Sequence, residues 1–128
     1  MPDTEKITIN MSAVDLGKID LLVQEGLYSN RTDFIRTAIR SQLEKHTLEI
    51  QQSVTRHSYA IGVMSYSRVD LEKHKEKGER MKITLVGLLH LHEDISPALA
   101  AEVIESIQVR GIFIADSEVK AILSDRMK

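Results

Sequence analysis

Residues 6–11, Lys-Ile-Thr-Ile-Asn-Met, alternate without a break between polar and apolar side chains. A period of two is typical of a β-strand that is buried on one face only. We therefore predict a strand that turns Ile7, Ile9 and Met11 towards a core. The outward side chains are then an ammonium, a hydroxyl and an amide, which are groups that can read base edges in a DNA major groove. These are Lys6, Thr8 and Asn10.

The predicted strand has no partner nearby in the chain, because the residues that follow have the spacing of helices. An unpaired strand leaves its backbone N–H and C=O groups without hydrogen bonds. A second copy of the chain supplies a partner if the two strands pair antiparallel across a two-fold axis. Such a two-stranded ribbon fits the width of the major groove. We therefore expect a homodimer whose formation also creates the DNA-reading surface.

Two helices are predicted after the strand. Ser12 is a suitable N-cap for the first helix and Gly26 a suitable terminator. The second helix begins near Arg31, after the N-cap residues Ser29 and Asn30. Amide N–H groups at a helix start, with an arginine beside them, form an anion site that suits a DNA phosphate. An ordinary capped helix without a ligand is the alternative.

The order of these parts resembles the N-terminal domain of ribbon-helix-helix DNA-binding regulators over about residues 5–46. The resemblance rests on the alternating strand, the helix that ends in glycine, and the second helix that opens with Asn-Arg-Thr-Asp-Phe-Ile-Arg. It implies a homodimer with an intertwined ribbon in the major groove. It also implies base contacts from Lys6, Thr8 and Asn10, and phosphate contacts near Ser29, Asn30, Arg31 and Thr32.

The charge balance limits how such a protein binds DNA. The chain has a net charge of -2, and residues 1–50 hold six Lys or Arg against eight Asp or Glu. Non-specific affinity depends on the number of phosphates that basic residues neutralise, so it should be low here. Binding must then rest on the placement of a few groups. We expect either a dimer or a dimer of dimers on the DNA.

A different pattern begins at about Ser58. The second helix is expected to continue as a connector over residues 47–57, after which strands at 59–64, 81–91 and 107–115 alternate with helices at 69–78, 96–106 and 118–126. Each strand contains a glycine, and these glycines recur at nearly equal spacing, which indicates an internal repeat. Strand-helix units of this length favour parallel strands. The three glycines are Gly62, Gly87 and Gly111.

The predicted fold is therefore mixed α/β with three parts. Residues 1–46 form a ribbon-helix-helix domain, and residues 47–57 form a helical connector. Residues 58–128 form a small βαβ-repeat domain with a mostly parallel sheet, which oligomerises, binds an effector, or does both. A ferredoxin-like domain is the architectural alternative, and it requires the strand at 81–91 to split at Gly87.

His90 and His92 are the candidate metal ligands. Residues two apart on a strand share a face, and imidazole binds nickel, copper, zinc or iron. The pair is similar to the His-x-His element of nickel-responsive ribbon-helix-helix repressors, but those proteins complete the site with a cysteine and this chain has none. Two solvated histidines are the alternative. We assign no metal and no cofactor, and leave a small-molecule or metal effector open.

The remaining sequence features exclude several classes of protein. No catalytic motif with credible spacing is present, so we predict no enzyme activity. No apolar run reaches the roughly 18 residues of a membrane span and no signal sequence is present, which predicts a cytoplasmic protein without a membrane partner. We predict a transcriptional repressor that binds a double-stranded DNA operator. The alternatives are an antitoxin that autoregulates its operon, a metal-responsive regulator, and a scaffold whose ribbon never meets DNA.

Overall fold

The computed structural model describes residues 4–128, so residues 1–3 of the predicted first domain lie outside the described residues. Two compact units are present. We call residues 6–53 the two-helix unit, and residues 4–5 together with residues 54–128 the sheet unit. In chain order the elements are α1 (Ala13–Gln24), α2 (Arg31–Lys45), α3 (Thr47–His57), β1 (Ala60–Tyr66), α4 (Arg68–Glu76), β2 (Met81–Leu91), α5 (Pro97–Val103), β3 (Ile104–Ile114), α6 (Ser117–Ile122) and a 3-10 helix (Ser124–Arg126).

Residues 4–11 have no regular secondary structure, so the strand predicted at 6–11 is not formed in the single chain. The physical reason is the absence of a partner, because the regular elements that follow in the two-helix unit are all helices. Their backbone groups are hydrogen-bonded along each helix and cannot form a sheet with this segment. Ile7 and Ile9 are 74% and 62% exposed. The prediction that they face a core is therefore wrong for the single chain.

α1 has the predicted caps at both ends. The Ser12 hydroxyl accepts a hydrogen bond from the backbone N–H of Asp15 at 3.1 Å. Gly26 has a φ of +83°, and the N–H groups of Gly26 and Leu27 donate to carbonyls in the last turn of the helix. This arrangement needs a left-handed residue just after the helix, which glycine adopts at little cost. Local sequence therefore fixes both ends of α1.

α2 and α3 are separate helices, whereas the sequence predicted one continuous helix through this region. The break lies at His46, whose φ of -106° and ψ of 19° are not helical. Beside it, the Thr47 hydroxyl donates to the carbonyl oxygen of Glu44 at 2.7 Å. A hydroxyl that bonds the backbone in this way competes with regular helical hydrogen bonding, which accounts for the break.

The sheet unit contains three parallel strands in the order β1-β2-β3. The parallel sheet predicted from the repeat is confirmed. Gly62 lies opposite Gly87, and Gly87 lies opposite Gly111, so the three glycines form one row across the sheet. β2 runs unbroken through Gly87, and the ferredoxin-like alternative is therefore wrong.

The core of the sheet unit lies between the sheet and the helices that connect its strands. Alternate residues of β2 provide its centre, and α4, α5 and α6 each contribute a buried apolar side chain to the same cluster. This packing is why the helices have one apolar face. The largest fully buried side chains include Leu71, Leu85, Leu89, Leu91, Ile95, Ile104, Ile107, Val103, Val119 and Leu123.

All three helices predicted for the sheet unit end earlier than expected, α4 by two residues. The Ser96 hydroxyl caps α5 and Pro97 occupies its first turn, but the helix stops at Val103 and not near residue 106. Ile104 instead pairs with Met81 at the start of β3, where it is fully buried. α6 likewise gives way to a 3-10 helix. None of the helices within residues 4–128 has the length and apolarity needed to cross a membrane.

The glycine row leads to a stability prediction. A Cβ at Gly87, whose φ is +140°, would overlap the carbonyl oxygen of Gly62. Because that contact is backbone on backbone and the φ is strained for any other residue, Gly87→Ala should lower the free energy of unfolding of the sheet unit by about 3 kcal/mol or more. Urea unfolding measures the change.

Gly17→Ala in α1 is the control, since nothing lies within 4 Å of the added methyl group. Alanine in a helix interior should raise stability by up to about 1 kcal/mol. A Gly87→Ala protein as stable as the wild type would contradict the observed strand register.

The N-terminus of α4 predicts a dependence of stability on pH. The Asp70 carboxylate accepts hydrogen bonds from the backbone N–H of Ser67 at 2.8 Å and from its hydroxyl at 3.0 Å. These bonds lower the pKa of Asp70. Their contribution is thus complete above the ordinary value of about 3.9 and is lost as the pH falls below it. Asp70→Asn should flatten the loss of stability between pH 5 and pH 2, as measured by urea unfolding. An unchanged acid profile would contradict this role.

Candidate nucleic-acid interface

The three predicted base-reading residues lie in the segment that leads into α1. Lys6, Thr8 and Asn10 are all exposed. The Ser12 cap fixes the point at which this segment joins the helix. In the single chain the segment is not a strand, so its alternating residues are not yet sorted onto two faces. The structure therefore leaves these side chains available without arranging them into a surface.

The start of α2 brings together the residues predicted to contact phosphate. The Asn30 side-chain oxygen accepts from the backbone N–H of Asp33 at 2.8 Å, and the Asp33 carboxylate accepts from the N–H of Ser29 at 2.9 Å. The Ser29 N–H is therefore already bonded, while its side chain is exposed. The N–H groups of Arg31 and Thr32, in the first turn, have no carbonyl of their own helix to bond.

The Arg31 side chain binds a carboxylate on the neighbouring helix. Its Nε donates to Asp20 Oδ1 at 2.8 Å and its Nη2 donates to Asp20 Oδ2 at 2.8 Å, which makes a bidentate pair between α1 and α2. The sequence does not predict this contact, because the two residues lie on different helices. In the single chain, the predicted phosphate ligand Arg31 is thus bound to an acidic side chain.

The Asp20–Arg31 pair is also an electrostatic unit. Hydrogen bonding to Arg31 lowers the pKa of Asp20, and the same bonds raise the pKa of Arg31. Both groups are therefore ionised at neutral pH. The pair is exposed to solvent, where such interactions are weak and are screened by salt. The pair therefore adds little to stability, and a competing anion can displace the carboxylate from Arg31.

The two-helix unit buries little apolar surface. Tyr28 packs edge to face on Phe34, with ring centroids 5.0 Å apart, and holds the turn against α2. Within residues 6–53, Ile19 is the one residue that is buried. The large apolar side chains that remain exposed there are Ile7, Ile9, Met11, Val14, Leu21, Leu27, Ile39, Leu43, Leu48 and Ile50.

The candidate metal ligands lie together at the end of β2. The His90 and His92 rings have centroids 4.5 Å apart. The Ser65 hydroxyl lies 2.7 Å from His92 Nε2 and 3.5 Å from His90 Nδ1. In the part of the chain that the structure describes, no group of three or more His, Cys, Asp or Glu side chains is placed to hold a metal ion. The two histidines therefore gain no third ligand of these types within one chain.

Comparison with known proteins identifies the family. Residues 2–120 match the model of the Ribbon-Helix-Helix transcriptional regulator family. The chain belongs to this family. The ribbon-helix-helix resemblance inferred from the first half of the sequence is confirmed, and the match extends over most of the sheet unit as well. Neither a curated protein nor a solved structure matches the chain.

Family membership indicates a DNA-binding transcriptional regulator, in a family that is typically non-enzymatic. The part of the chain that binds DNA in such a protein needs cations and hydrogen-bond donors directed at phosphates. The start of α2 provides both, since Arg31 and the N–H groups of the first turn lie there.

The Asp20–Arg31 pair predicts the effect of removing the carboxylate. Asp20→Asn should strengthen binding to any duplex DNA several-fold at low salt, because Arg31 no longer has an anionic partner within the chain. The slope of log K against log salt should steepen by about one phosphate contact per chain. Fluorescence anisotropy with a duplex of random sequence measures both quantities.

Asp15→Asn is the matched control, since it makes the same chemical change on the same helix at a residue that does not bind Arg31. It should alter affinity less. Equal effects of the two variants would show that net charge alone, and not the release of Arg31, governs the change.

Proposed function

We propose that this chain is a homodimeric repressor that reads its operator through an antiparallel ribbon made from residues 6–11 of two copies. The observation that carries the proposal is the exposed apolar surface of the two-helix unit, in a chain of a DNA-binding family. A unit of this size that buries little beyond Ile19 lacks the core needed to be stable alone. A second copy supplies both the missing core and the missing strand.

Pairing of the two segments also determines which side chains face the DNA. In a ribbon, residues two apart share a face, so Ile7, Ile9 and Met11 pack onto the helices of both copies. Lys6, Thr8 and Asn10 then lie on the opposite face. Lysine pairs well with guanine, asparagine with adenine, and threonine with a base edge or a thymine methyl group. Specificity would thus come from three side chains in each copy. This agrees with the low positive charge of the chain, which gives little non-specific affinity for DNA.

Phosphate contacts come from the start of α2 in this proposal. The N–H groups of Arg31 and Thr32 bind one phosphate, and the Arg31 guanidinium transfers from Asp20 to the same anion. Asn30 keeps its oxygen for the helix cap, so its amide N–H₂ and the Ser29 hydroxyl are the groups left to donate. These contacts fix the position of the ribbon in the groove and carry no sequence information.

Repression follows from this geometry because occupancy of an operator blocks transcription without a further contact surface. The site of action is then the cytoplasm, on double-stranded DNA. The antitoxin alternative receives no support from the sheet unit, since a tail that wraps a toxin is usually disordered and this unit has its own core. We assign no cofactor, and an effector stays an open prediction.

Three measurements test the proposal. Sedimentation equilibrium should give two chains, or a multiple of two, and selection from random duplexes should give one short motif with two-fold symmetry. Because the ribbon is proposed to bind in the major groove, methylation of guanine N7 within the motif should reduce binding. A protein that binds DNA as one chain, or that selects no motif, would overturn the proposed ribbon.

Thr8→Ala is expected to weaken binding to the selected operator by about 1–3 kcal/mol while the dimer persists, since it removes a base contact. Thr4→Ala, an exposed threonine just before the ribbon, is the control and should bind as the wild type. Anisotropy titrations at one fixed salt concentration compare the two variants. Equal affinities would remove Thr8 from the set of base readers.

A further inference from the structure

The sheet unit has two edge strands, of which β1 lacks the usual protection against pairing and β3 carries Arg110 next to its free part. β1 has the sequence AIGVMSY, without a charged residue or a proline, and β3 ends in GIFI. Natural edge strands are commonly protected by lysine, proline or a bulge, because their free N–H and C=O groups otherwise pair with another chain. The first part of the β3 edge carries Met127 and Lys128, and the part around Gly111 is exposed.

The glycine row gives the two edges complementary shapes. Gly62, Gly87 and Gly111 have similar φ values of +143°, +140° and +129°. The Cβ position of Gly111 faces the Gly87 carbonyl, and that of Gly87 faces the Gly62 carbonyl. At the corresponding position of Gly62, no atom of residues 4–128 lies within 4 Å. The β1 edge therefore has room for one more carbonyl oxygen, and the repeat directs the Gly111 carbonyl out of the β3 edge.

Met127 and Lys128 begin a fourth strand position. Met127 pairs in parallel with Ile107, and the Lys128 N–H donates to the Ile107 carbonyl at 2.9 Å. The Arg110 side chain bonds the Lys128 carbonyl at 3.2 Å. The stretch from the end of β3 to Met127 is as long as the stretch from the end of β2 to the start of β3. The chain thus returns to the sheet after α6 as it does after α5.

The register shows what would complete this strand position. Because Met127 lies opposite Ile107, Lys128 falls beside Gln108 and the next place is beside Val109. β1 begins at Ala60, which shares a row with Leu85 and Val109 across the repeat. A β1 strand from another copy, placed with its Gly62 opposite Gly111, would therefore have its Ala60 beside Val109.

We infer that sheet units of successive copies stack edge to edge, with β1 of one copy parallel to β3 of the next and Gly62 opposite Gly111. The same stacking would also fill a recess in the sheet unit. β1 starts opposite Leu85, so Met81–Thr84 have no strand on that side. A recess of about 600 Å³ lies there, lined in part by Ser58 and Ala60. Met127 of the neighbouring copy would enter this recess in the row of Ile83, and Lys128 in the row of Thr84.

Side-chain burial is consistent with a neighbour at the edge. Val63, Leu88 and Ile112 form the row after the glycines. Leu88 has a strand on each side and is 3% exposed, whereas Val63 on the edge strand is 59% exposed. Stacking places Val63 of one copy beside Ile112 of the next, so the row continues and its edge side chains are covered.

The contact joins two different edges and does not close on itself. A contact of this kind extends into rings or filaments, unlike the two-fold contact of a ribbon. It goes beyond the proposed function and does not depend on it, since it requires only the sheet unit. Where both contacts form, dimers are linked into arrays, which would raise the affinity of a weakly charged protein for neighbouring operators.

Disulfide cross-linking tests the register directly, because the full-length chain contains no cysteine. Val63→Cys and Ile112→Cys proteins are mixed under mild oxidation. The proposal expects a 63–112 cross-link in excess of either homodimer, whereas Ile114→Cys in place of Ile112→Cys should give much less. Within one chain the two positions are about 10 Å apart, beyond disulfide reach. Absence of the 63–112 product, or a dominant 63–63 product, would overturn the stacking.

Sedimentation velocity over a range of concentrations tests the assembly itself. The wild type should grow beyond two chains, and Val63→Lys, which places a charge on the β1 edge, should reduce it to two chains or one. Val69→Lys is the matched control, since Val69 is 53% exposed on α4, and it should assemble as the wild type. Circular dichroism verifies that both variants fold. A wild type that never exceeds two chains, or equal behaviour of the variants, would overturn the proposal without affecting the ribbon dimer.

Discussion

Backbone hydrogen bonding between strands determines how far each half of this chain folds alone. Residues 6–11 have strand-forming side chains but no neighbouring strand, and the segment stays irregular in a single chain. The sheet unit pairs three strands in parallel and encloses its own core, yet leaves β1 and part of β3 with free edges. In the proposed assembly, a second copy therefore completes the fold of the first half, whereas it only extends the sheet of the second half.

Much of the sheet unit could be predicted from the sequence, because its signals are local and repeated. β2 was predicted with its observed bounds, and the glycine spacing indicated parallel strands. The boundary between α5 and β3 was not predictable in the same way. Residues 104–106 fit the apolar spacing of a helix, and it is the pairing of Ile104 with Met81, far away in the chain, that makes them a strand.

The same distinction between local and long-range contacts applies to the candidate interface. The caps at Ser12 and Asn30 were predictable, because each involves residues within one turn. The Asp20–Arg31 pair was not, because it depends on how α1 and α2 pack. The ribbon is a third case, since its sequence pattern is clear but its formation requires a second chain. The conclusion that the chain is a DNA-binding regulator therefore rests on family membership and not on the structure of a single chain.

The row of glycines also limits how this protein can diverge in evolution. A side chain at Gly87 or Gly111 would meet backbone and not another side chain, so no compensating substitution in a neighbour can make space. The helices between the strands carry no such restriction and can lengthen or shorten, provided that the strands return to the same register. Distant descendants of this gene should therefore keep glycine at the positions of Gly87 and Gly111 after most other positions have changed.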